Sequence, residues 1–245
     1  MYQSHPHYTN IDFPFPCNPP YVPSENPTGY YENSFEVPSN WTKIEGGLDY
    51  RLRFEGVDSA FYLWLNGTEI GYSQGSRNAA EFDVTKSLKH GAEDNNTLRL
   101  KVYQWSDGSY IEDQDQWWLS GIFRDVYLIA YPKKGHIEDF FVQTNLRESF
   151  RSAYFNVSIS YQLQSKGKLS IRLLDGDGES AAKDLSYDLG AGSATHDYGT
   201  KVEKPQLWNA ENPYVCLPYL VPRSRSYTHE TAGHAPPASQ NSSID

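Results

Sequence analysis

The residues best suited to chemistry are concentrated between Gln104 and Val126. Four carboxylates lie within nine residues of this stretch and alternate with large aromatic side chains: Asp107, Glu112, Asp113 and Asp115 among Trp105, Tyr110, Trp117 and Trp118. Carboxylates accept hydrogen bonds from sugar hydroxyls and bind hard cations, and aromatic rings cover the apolar face of a pyranose. The composition therefore favours a surface that binds a polyol. The alternative from composition alone is that Trp105, Ile122 and Phe123 belong to a core and the acids form a solvated turn.

The adjacent carboxylates Glu112 and Asp113 invite comparison with the general acid and the nucleophile of a glycosidase. Retaining glycosidases hold these two carboxyl groups ~5–5.5 Å apart on opposite sides of the glycosidic bond. Neighbouring residues of one strand point to opposite faces, so Glu112 and Asp113 are not predicted to form such a pair. The seven histidines have no metal-binding spacing, and the sequence has no nucleophile-elbow, P-loop or dinucleotide-binding glycine pattern.

The elements that position this stretch are predicted to be β-strands. Leu52 and Phe54 alternate with charged residues, and a period of two is typical of half-buried strands. Six strands are predicted in the first part of the chain: Tyr30 to Val37, Asp49 to Glu55, Ala60 to Leu65, Glu69 to Ser73, Thr97 to Gln104 and Phe123 to Tyr131. Asn66-Gly67 joins two of them with the sequence of a type I′ hairpin turn, whose two central residues take positive φ. Residues 30–132 are therefore predicted to form an antiparallel sandwich or jelly roll of the all-β class, with Val84 to His90 as a short helical turn.

Three further segments flank this domain. Residues 1–29 carry seven prolines, which excludes a helix or a central strand and predicts an extended arm. Residues 132–135 predict a linker, and alternation within Phe155 to Leu163 and Leu169 to Leu173 predicts a second sandwich over residues 135–217. Residues 222–245 have almost no large apolar side chain and are predicted to be disordered, because burial cannot offset their chain entropy.

Length and charge exclude several function classes. A chain of 245 residues is too short for two sandwiches and a (β/α)₈ barrel of ~250 residues. A net charge of −10 argues against nucleic acid or an anionic membrane as partner, whereas a neutral sugar is compatible with it. The sequence shows no membrane-spanning run and no secretory signal, so a cytoplasmic location is expected. Cys17 and Cys216 lie in different predicted domains, and no disulfide between them is expected.

The acidic stretch resembles the segment DGSYxEDQDxWxxSGIFRDV of family 2 glycoside hydrolases of the β-galactosidase type. Other matches follow in the order and at the spacing of that family: Tyr8-Thr9-Asn10, Pro19 to Pro23, Glu25 to Gly29, Gly56 to Phe61, Asn66-Gly67, Gly71 to Gln74, Glu81 to Asp83 and Leu207 to Pro213. The resemblance covers about residues 8–216. It implies a galactose-binding-like jelly roll followed by an incomplete immunoglobulin-like sandwich. The family's catalytic carboxylates lie in a barrel that this chain is expected to lack.

The resemblance also implies roles for four residues. Asp115 matches a family residue that binds a sodium ion and contacts galactose, and hard cations prefer carboxylate ligands. Asn10 matches a second galactose contact, and an amide both donates to and accepts from hydroxyls. Gln74 and Asp107 match positions of a peripheral magnesium site. Two ligands alone would bind Mg²⁺ poorly, and Asp107 alternatively caps the turn before Gly108.

As a whole, the resemblance implies the sugar-binding part of a β-galactosidase, an enzyme that hydrolyses terminal β-galactosides such as lactose. This part is expected to be inactive alone, with a β-galactoside and the missing barrel as its partners, and the complete enzyme is expected to be a homo-oligomer. Two alternatives remain: a free-standing carbohydrate-binding module, and a subunit that complements a separate barrel chain. A dedicated lectin should finish its second sandwich, whereas this sequence departs from the family pattern after about Leu217, which favours the fragment.

Overall fold

The computed structural model describes residues 12–44, 46–90, 94–112, 116, 118–147 and 149–224. The chain divides into two compact units, the first ending at Pro132 and the second beginning at Lys133. In the described ranges the only helical segments are the short 3₁₀ turns Trp41–Lys43 and Asp107–Tyr110. No helix in this part of the chain is long and apolar enough to cross a membrane. The all-β prediction is confirmed.

The strands of the first unit form antiparallel sheets. In chain order they are β1 Thr28–Phe35, β2 Leu48–Phe54, β3 Val57–Asp58, β4 Ala60–Leu65, β5 Thr68–Gln74, β6 Ala80–Asp83, β7 Asn96–Tyr103, β8 Gly121–Ile122 and β9 Val126–Pro132. The sheet order is β1-β7-β4-β5 in one sheet and β6-β2-β9 in another, with a two-stranded pair of β3 and β8. The predicted strands are present within a few residues, except that the last begins at Val126 rather than Phe123. Phe123 instead packs its ring beneath the guanidinium groups of Arg77 and Arg124.

The core of the first unit follows directly from the period-two pattern. Alternate residues of β2, β4 and β7 are buried and form one hydrophobic cluster that includes Leu52, Phe54, Phe61, Leu63, Leu65, Leu98, Leu100 and Val102. The intervening residues are half-buried in β2 and β4, and half-buried or exposed in β7. Apolar burial of this kind stabilises the fold by about 25 cal/mol per Å² of area removed from water.

The predicted hairpin between β4 and β5 is confirmed. Asn66 has φ of 53° and Gly67 has φ of 83°, as a type I′ turn requires. The Asn66 amide nitrogen donates to Ser87 O at 2.8 Å and to Asn96 Oδ1 at 2.8 Å, and its Oδ1 accepts from Thr97 N at 3.0 Å. This turn is therefore tied to two other segments of the first unit.

The second unit is also built from antiparallel sheets. Its strands are β10 Gly135–Arg147, β11 Ser152–Leu163, β12 Gly167–Leu174, β13 Leu185–Leu189, β14 Gly192–Glu203 and β15 Leu217–Ser224. The sheet orders are β10-β11-β14 and β13-β12-β15. The core consists chiefly of alternate residues of β11 and β12: Phe155, Val157, Ile159, Tyr161 and Leu163, with Leu169, Ile171 and Leu173.

The segment predicted as a linker is a short turn where the two units meet along the chain. Only two residues, Lys133 and Lys134, separate β9 from β10, and Lys134 O accepts from Gln164 N at 3.0 Å. One boundary differs from the sequence expectations. Strand β15 runs through residues 222–224, which were expected to belong to a disordered tail, because backbone pairing with Gly167 to Leu169 of β12 does not depend on apolar side chains. Residues 225–245 of the expected tail lie outside the described residues.

Candidate functional site

The segment between β7 and β8, residues 104–120, contains the predicted site and is called the acidic loop below. Its first residues are fixed by Asn26, whose amide oxygen accepts from Trp105 N at 3.0 Å and whose amide nitrogen donates to Trp105 O at 2.8 Å. Gln104 N donates to Pro27 O at 2.9 Å. The end of the N-terminal arm therefore pairs with the beginning of the loop much as a strand would.

An aromatic cluster holds the rest of the described arm on the loop. Phe15, only 7% exposed, contacts the rings of Trp105 and Tyr110 at centroid distances of 5.2 and 5.3 Å. Phe13 stacks on Tyr110 at 5.7 Å. The Tyr110 hydroxyl donates to Tyr21 O at 2.6 Å. Aromatic contacts of this kind contribute about 0.5–1.5 kcal/mol each beyond their buried area, so arm and loop stabilise one another.

Trp118 closes the other side of the cluster. Its ring meets Trp105 edge to face at 6.4 Å, and its indole Nε1 donates to Asp12 O at 3.3 Å. Gln104 Nε2 donates to Trp118 O at 2.9 Å across the loop. The loop then enters β8 at Gly121, where φ is 111° and an added Cβ would lie 2.9 Å from the Tyr31 hydroxyl.

Glu112 anchors the acidic loop to the turn after β5. Its Oε2 accepts from Ser76 Oγ at 2.6 Å and from Ser76 N at 3.2 Å, and Ser76 is 1% exposed. A buried backbone N–H and hydroxyl both need acceptors, and a carboxylate oxygen can serve both. Glu112 is therefore a structural acceptor in this arrangement.

Arg77 forms a second link between the same turn and the loop. Its guanidinium donates to Asp58 Oδ2 at 3.0 Å and to Gln116 Oε1, and it lies 4.9 Å above the Phe123 ring. Burial raises the pKa of the Asp58 carboxyl, and the neighbouring Arg77 charge offsets part of that increase. Arg77 thus connects β3, the loop and the segment before β9.

A small cavity lies between these two links. It has a volume of about 10 Å³ and is lined by Asp58, Ser76, Glu112 and Trp105 among others. Such a volume holds about one water molecule. The Trp105 indole N–H is buried without a hydrogen-bond partner in the described part of the chain, and a single water could accept from it. No sugar ring fits between Asp58 and Glu112, so these carboxylates do not form a catalytic pair across a glycosidic bond.

The structure brings two of the four predicted site residues to one region and leaves two undescribed. Asn10 and Asp115 lie outside the described residues, as do Asp113 and Trp117. Gln74 ends β5 and accepts from the Tyr72 hydroxyl at 2.7 Å through its amide oxygen. Asp107 is exposed at the start of the second 3₁₀ turn. Burial raises the pKa of Tyr72, and the Asp107 charge raises it further. The Tyr72 hydroxyl therefore bonds Gln74 and also experiences the charge of Asp107.

The fit of a magnesium ion to Gln74 and Asp107 is partial. An amide oxygen and a carboxylate are suitable ligands for a hard cation, but Mg²⁺ takes about six oxygen ligands in an octahedron. Within the described ranges, no group of three or more His, Cys, Asp or Glu side chains could hold a metal ion. These two side chains could supply two positions, and further ligands or waters would be needed.

Sequence reasoning missed the residues that hold the loop in place. Asn26 forms hydrogen bonds with Trp105, 79 positions away, and Ser76 forms them with Glu112, 36 positions away. No local sequence pattern indicates such distant partners. The alternative prediction, that Trp105, Ile122 and Phe123 belong to a core, is correct in part. Ile122 packs against the main core and Trp105 joins the aromatic cluster, whereas Phe123 is 45% exposed.

Two family descriptions match the chain. The description "Glycosyl hydrolases family 2, sugar binding domain" matches residues 1–132. The description "Glycosyl hydrolases family 2" matches residues 135–215.

Similar proteins include a β-galactosidase of Alteromonas mediterranea, 45% identical over 217 residues, which span 86% of this chain and 20% of that protein. A β-galactosidase of Kluyveromyces lactis is 40% identical over 227 residues, which span 85% of this chain and 22% of that protein. The chain therefore spans about one fifth of the length of these relatives and is homologous to their N-terminal region.

Solved structures share the fold. A β-glucuronidase of Bacteroides uniformis superposes with a TM-score of 0.68 at 23% identity, covering 82% of this chain and 25% of that protein. A β-glucuronidase of Bifidobacterium dentium, in complex with coumarin-3-O-glucuronide, gives a TM-score of 0.65 at 21% identity, covering 80% of this chain and 36% of that protein.

Proposed function

The chain belongs to glycoside hydrolase family 2, and from that premise we propose that it is the sugar-binding part of a β-galactosidase. In this proposal Asn10 and Asp115 hold the hydroxyls of a terminal β-galactoside, and the carboxylates that cleave the bond come from a catalytic barrel elsewhere in the enzyme. The identity of 40–45% to β-galactosidases over most of the chain supports this substrate class.

The observation that carries the proposal is the packing of the arm on the acidic loop. Asp12 and Trp118 are joined by a hydrogen bond, and Phe13 stacks on Tyr110. The arm, in which the predicted contact Asn10 lies, and the acidic loop, in which Asp115 lies, are therefore in contact through their described residues.

The contacts of Glu112 and Asp58 argue against a catalytic role for these two carboxylates. Glu112 is engaged by Ser76 and Asp58 by Arg77, and the cavity between them is too small for a pyranose. Hydrolysis with retention needs a nucleophile and an acid/base on opposite sides of a bound glycoside. We expect the chain by itself not to cleave a β-galactoside.

A sodium ion at Asp115 is part of the same proposal. A bound hard cation would neutralise the carboxylate and orient a sugar hydroxyl. For magnesium, Gln74 at the end of β5 and Asp107 in the second 3₁₀ turn would supply two oxygen ligands.

The test uses a chimera in which residues 1–216 replace the matching region of the Kluyveromyces lactis relative. We expect the chain alone to give no turnover of a chromogenic β-galactoside and the chimera to be active. Asp115→Ala should lower kcat/KM of the chimera at least ~10-fold, because a charge-assisted contact is worth about 1.5–3 kcal/mol. Asn10→Ala should lower it less, since a neutral hydrogen bond contributes about 0.5–1.5 kcal/mol.

The matched control is Glu69→Ala, which removes an exposed carboxylate from β5. It should leave kcat/KM unchanged. Turnover by the chain alone, or an unchanged kcat/KM for Asp115→Ala, would contradict the proposal. Activity restored by mixing this chain with a separately expressed barrel would identify the complementing subunit instead. Galactose binding by the chain alone that is as tight as in the chimera and is lost in Asp115→Ala would identify a free-standing module.

A further inference from the structure

We propose that the second unit carries a sugar-binding groove of its own, on the outer face of the sheet β10-β11-β14. The groove has a volume of about 470 Å³, within the ~300–1,000 Å³ typical of small-molecule sites. Its lining includes Phe141, Gln143, Asn156, Ser158, Asp197 and Gly199. This site goes beyond the function proposed above, whose residues Asn10 and Asp115 belong to the first unit.

Strand register places these six residues on one face in two adjacent rows. Phe141 pairs with Ser158, which pairs with Asp197 on the next strand. Gln143 pairs with Asn156, which pairs with Gly199. The alternate residues of β11, such as Val157 and Ile159, are buried in the core, so the groove residues face away from it.

Among the described residues, the polar side chains of the groove have no partner. In the part of the chain that the structure describes, the side chains of Gln143, Asn156, Ser158 and Asp197 form no hydrogen bond or ion pair with another protein group. The neighbouring positions of the same sheet are satisfied internally. Ser160 and Thr195 share a hydroxyl–hydroxyl bond of 2.7 Å on one side, and Lys201 pairs with Glu203 at 3.1 Å on the other.

Gly199 shapes the floor of the groove. A Cβ at this position would lie 2.4 Å from Asn156 Oδ1 and 3.1 Å from Phe155 O, so the Asn156 amide occupies the space that a side chain would fill. Any larger residue would push this amide away from the sheet. The absence of a side chain at 199 therefore fixes where the amide can meet a ligand.

The chemistry of the lining selects a neutral sugar. The amides of Gln143 and Asn156 and the hydroxyl of Ser158 can each donate and accept hydrogen bonds, and the carboxylate of Asp197 accepts them. Sugar hydroxyls also donate and accept, so they are suitable partners for these groups. Phe141 is 62% exposed and can cover the apolar face of a pyranose. Asp197 disfavours anions. A peptide strand would bind through backbone groups at a sheet edge instead of on this face.

The test follows lactose and cellotetraose binding to the full chain by two-dimensional NMR. We expect saturable shifts of the Asn156 and Gln143 side-chain amides. Phe141→Ala should weaken binding about fivefold or more through loss of the ring contact. Gly199→Ala should weaken it by displacing Asn156. Tyr154→Ala is the matched control, because Tyr154 is an exposed aromatic residue of β11 that does not line the groove.

The outcomes separate this site from that of the first unit. Groove shifts that persist in Asp115→Ala support the proposal independently of Asn10 and Asp115. Shifts confined to the acidic loop would overturn it, as would the absence of saturable shifts with both sugars in a folded wild-type chain. Equal weakening by Tyr154→Ala and Phe141→Ala would also overturn it. Shifts that depend on protein concentration without sugar would indicate self-association in place of sugar binding.

Discussion

Replacing Glu112 should destabilise the first unit, because this carboxylate is the acceptor for two donors of Ser76. The hydroxyl of Ser76 lies 2.6 Å and its backbone N–H 3.2 Å from Glu112 Oε2, and Ser76 is almost completely buried. A hydrogen bond to a charged group contributes about 1.5–3 kcal/mol, and an unsatisfied buried donor costs about 1–3 kcal/mol. Water entering the adjacent cavity would recover part of this loss.

We therefore expect Glu112→Ala to lower the free energy of unfolding by about 2 kcal/mol. Glu112→Gln keeps an acceptor oxygen and loses only the charge, so its cost should be about 1 kcal/mol. With a urea m-value of about 2 kcal/mol/M, the midpoint should fall by about 1 M for the Ala variant. Tryptophan fluorescence is a suitable probe, because five of the six tryptophans precede Pro132.

The control variant is Glu69→Ala, whose carboxylate is exposed on β5. Its midpoint should stay within about 0.2 M of wild type, since exposed substitutions usually change stability by less than 0.5 kcal/mol. A midpoint for Glu112→Ala equal to that of Glu69→Ala would refute the anchoring role. A Gln variant as costly as the Ala variant would show that the retained oxygen does not accept from Ser76.

Two further predictions concern the same unit. Because burial raises the pKa of Asp58 above its ordinary 3.8, the folded chain binds this proton more readily than the unfolded chain. The contribution of Asp58 to stability is therefore present below that value and is lost as pH rises through the raised pKa. In Asp58→Asn, the urea midpoint should vary less with pH over this interval. A midpoint that varies with pH as in the wild type would contradict the role assigned to Asp58. Asn66→Ala should cost about 2–4 kcal/mol in thermal unfolding, because three side-chain hydrogen bonds are lost at a positive φ. Gly67→Ala should cost only about 1–2 kcal/mol, since its φ is 83° but an added Cβ meets nothing within 4 Å; equal costs would count against the Asn66 contacts.

Much of the fold could be predicted from local pattern. The alternation in β2, β4, β7, β11 and β12 identified the strands that supply both cores. Strands with a weaker alternation, such as Gly135–Arg147 and Gly192–Glu203, were not identified in advance. Both carry many exposed polar residues, so hydrophobic periodicity is a poor guide to them.

The candidate site was predicted only in part. Sequence reasoning singled out the acidic loop and named Asp107 and Gln74, whose roles as metal ligands remain predictions; Gln74 accepts from the Tyr72 hydroxyl, and the Asp107 charge acts on the same hydroxyl. It gave no indication that Ser76 and Arg77 hold the loop. Asn10 and Asp115 remain predictions that rest on the resemblance and on the contact between their neighbours.

The sequence alone determined the class of each segment, because side-chain alternation, proline density and the Asn66-Gly67 turn act over a few residues. The tertiary structure decided which segments meet. The Asn26–Trp105 and Glu112–Ser76 contacts join residues 79 and 36 positions apart, and the groove exists only through the register of three strands. Such contacts depend on which strands pair and on where buried donors find acceptors, and these are properties of the packed chain that no local stretch encodes.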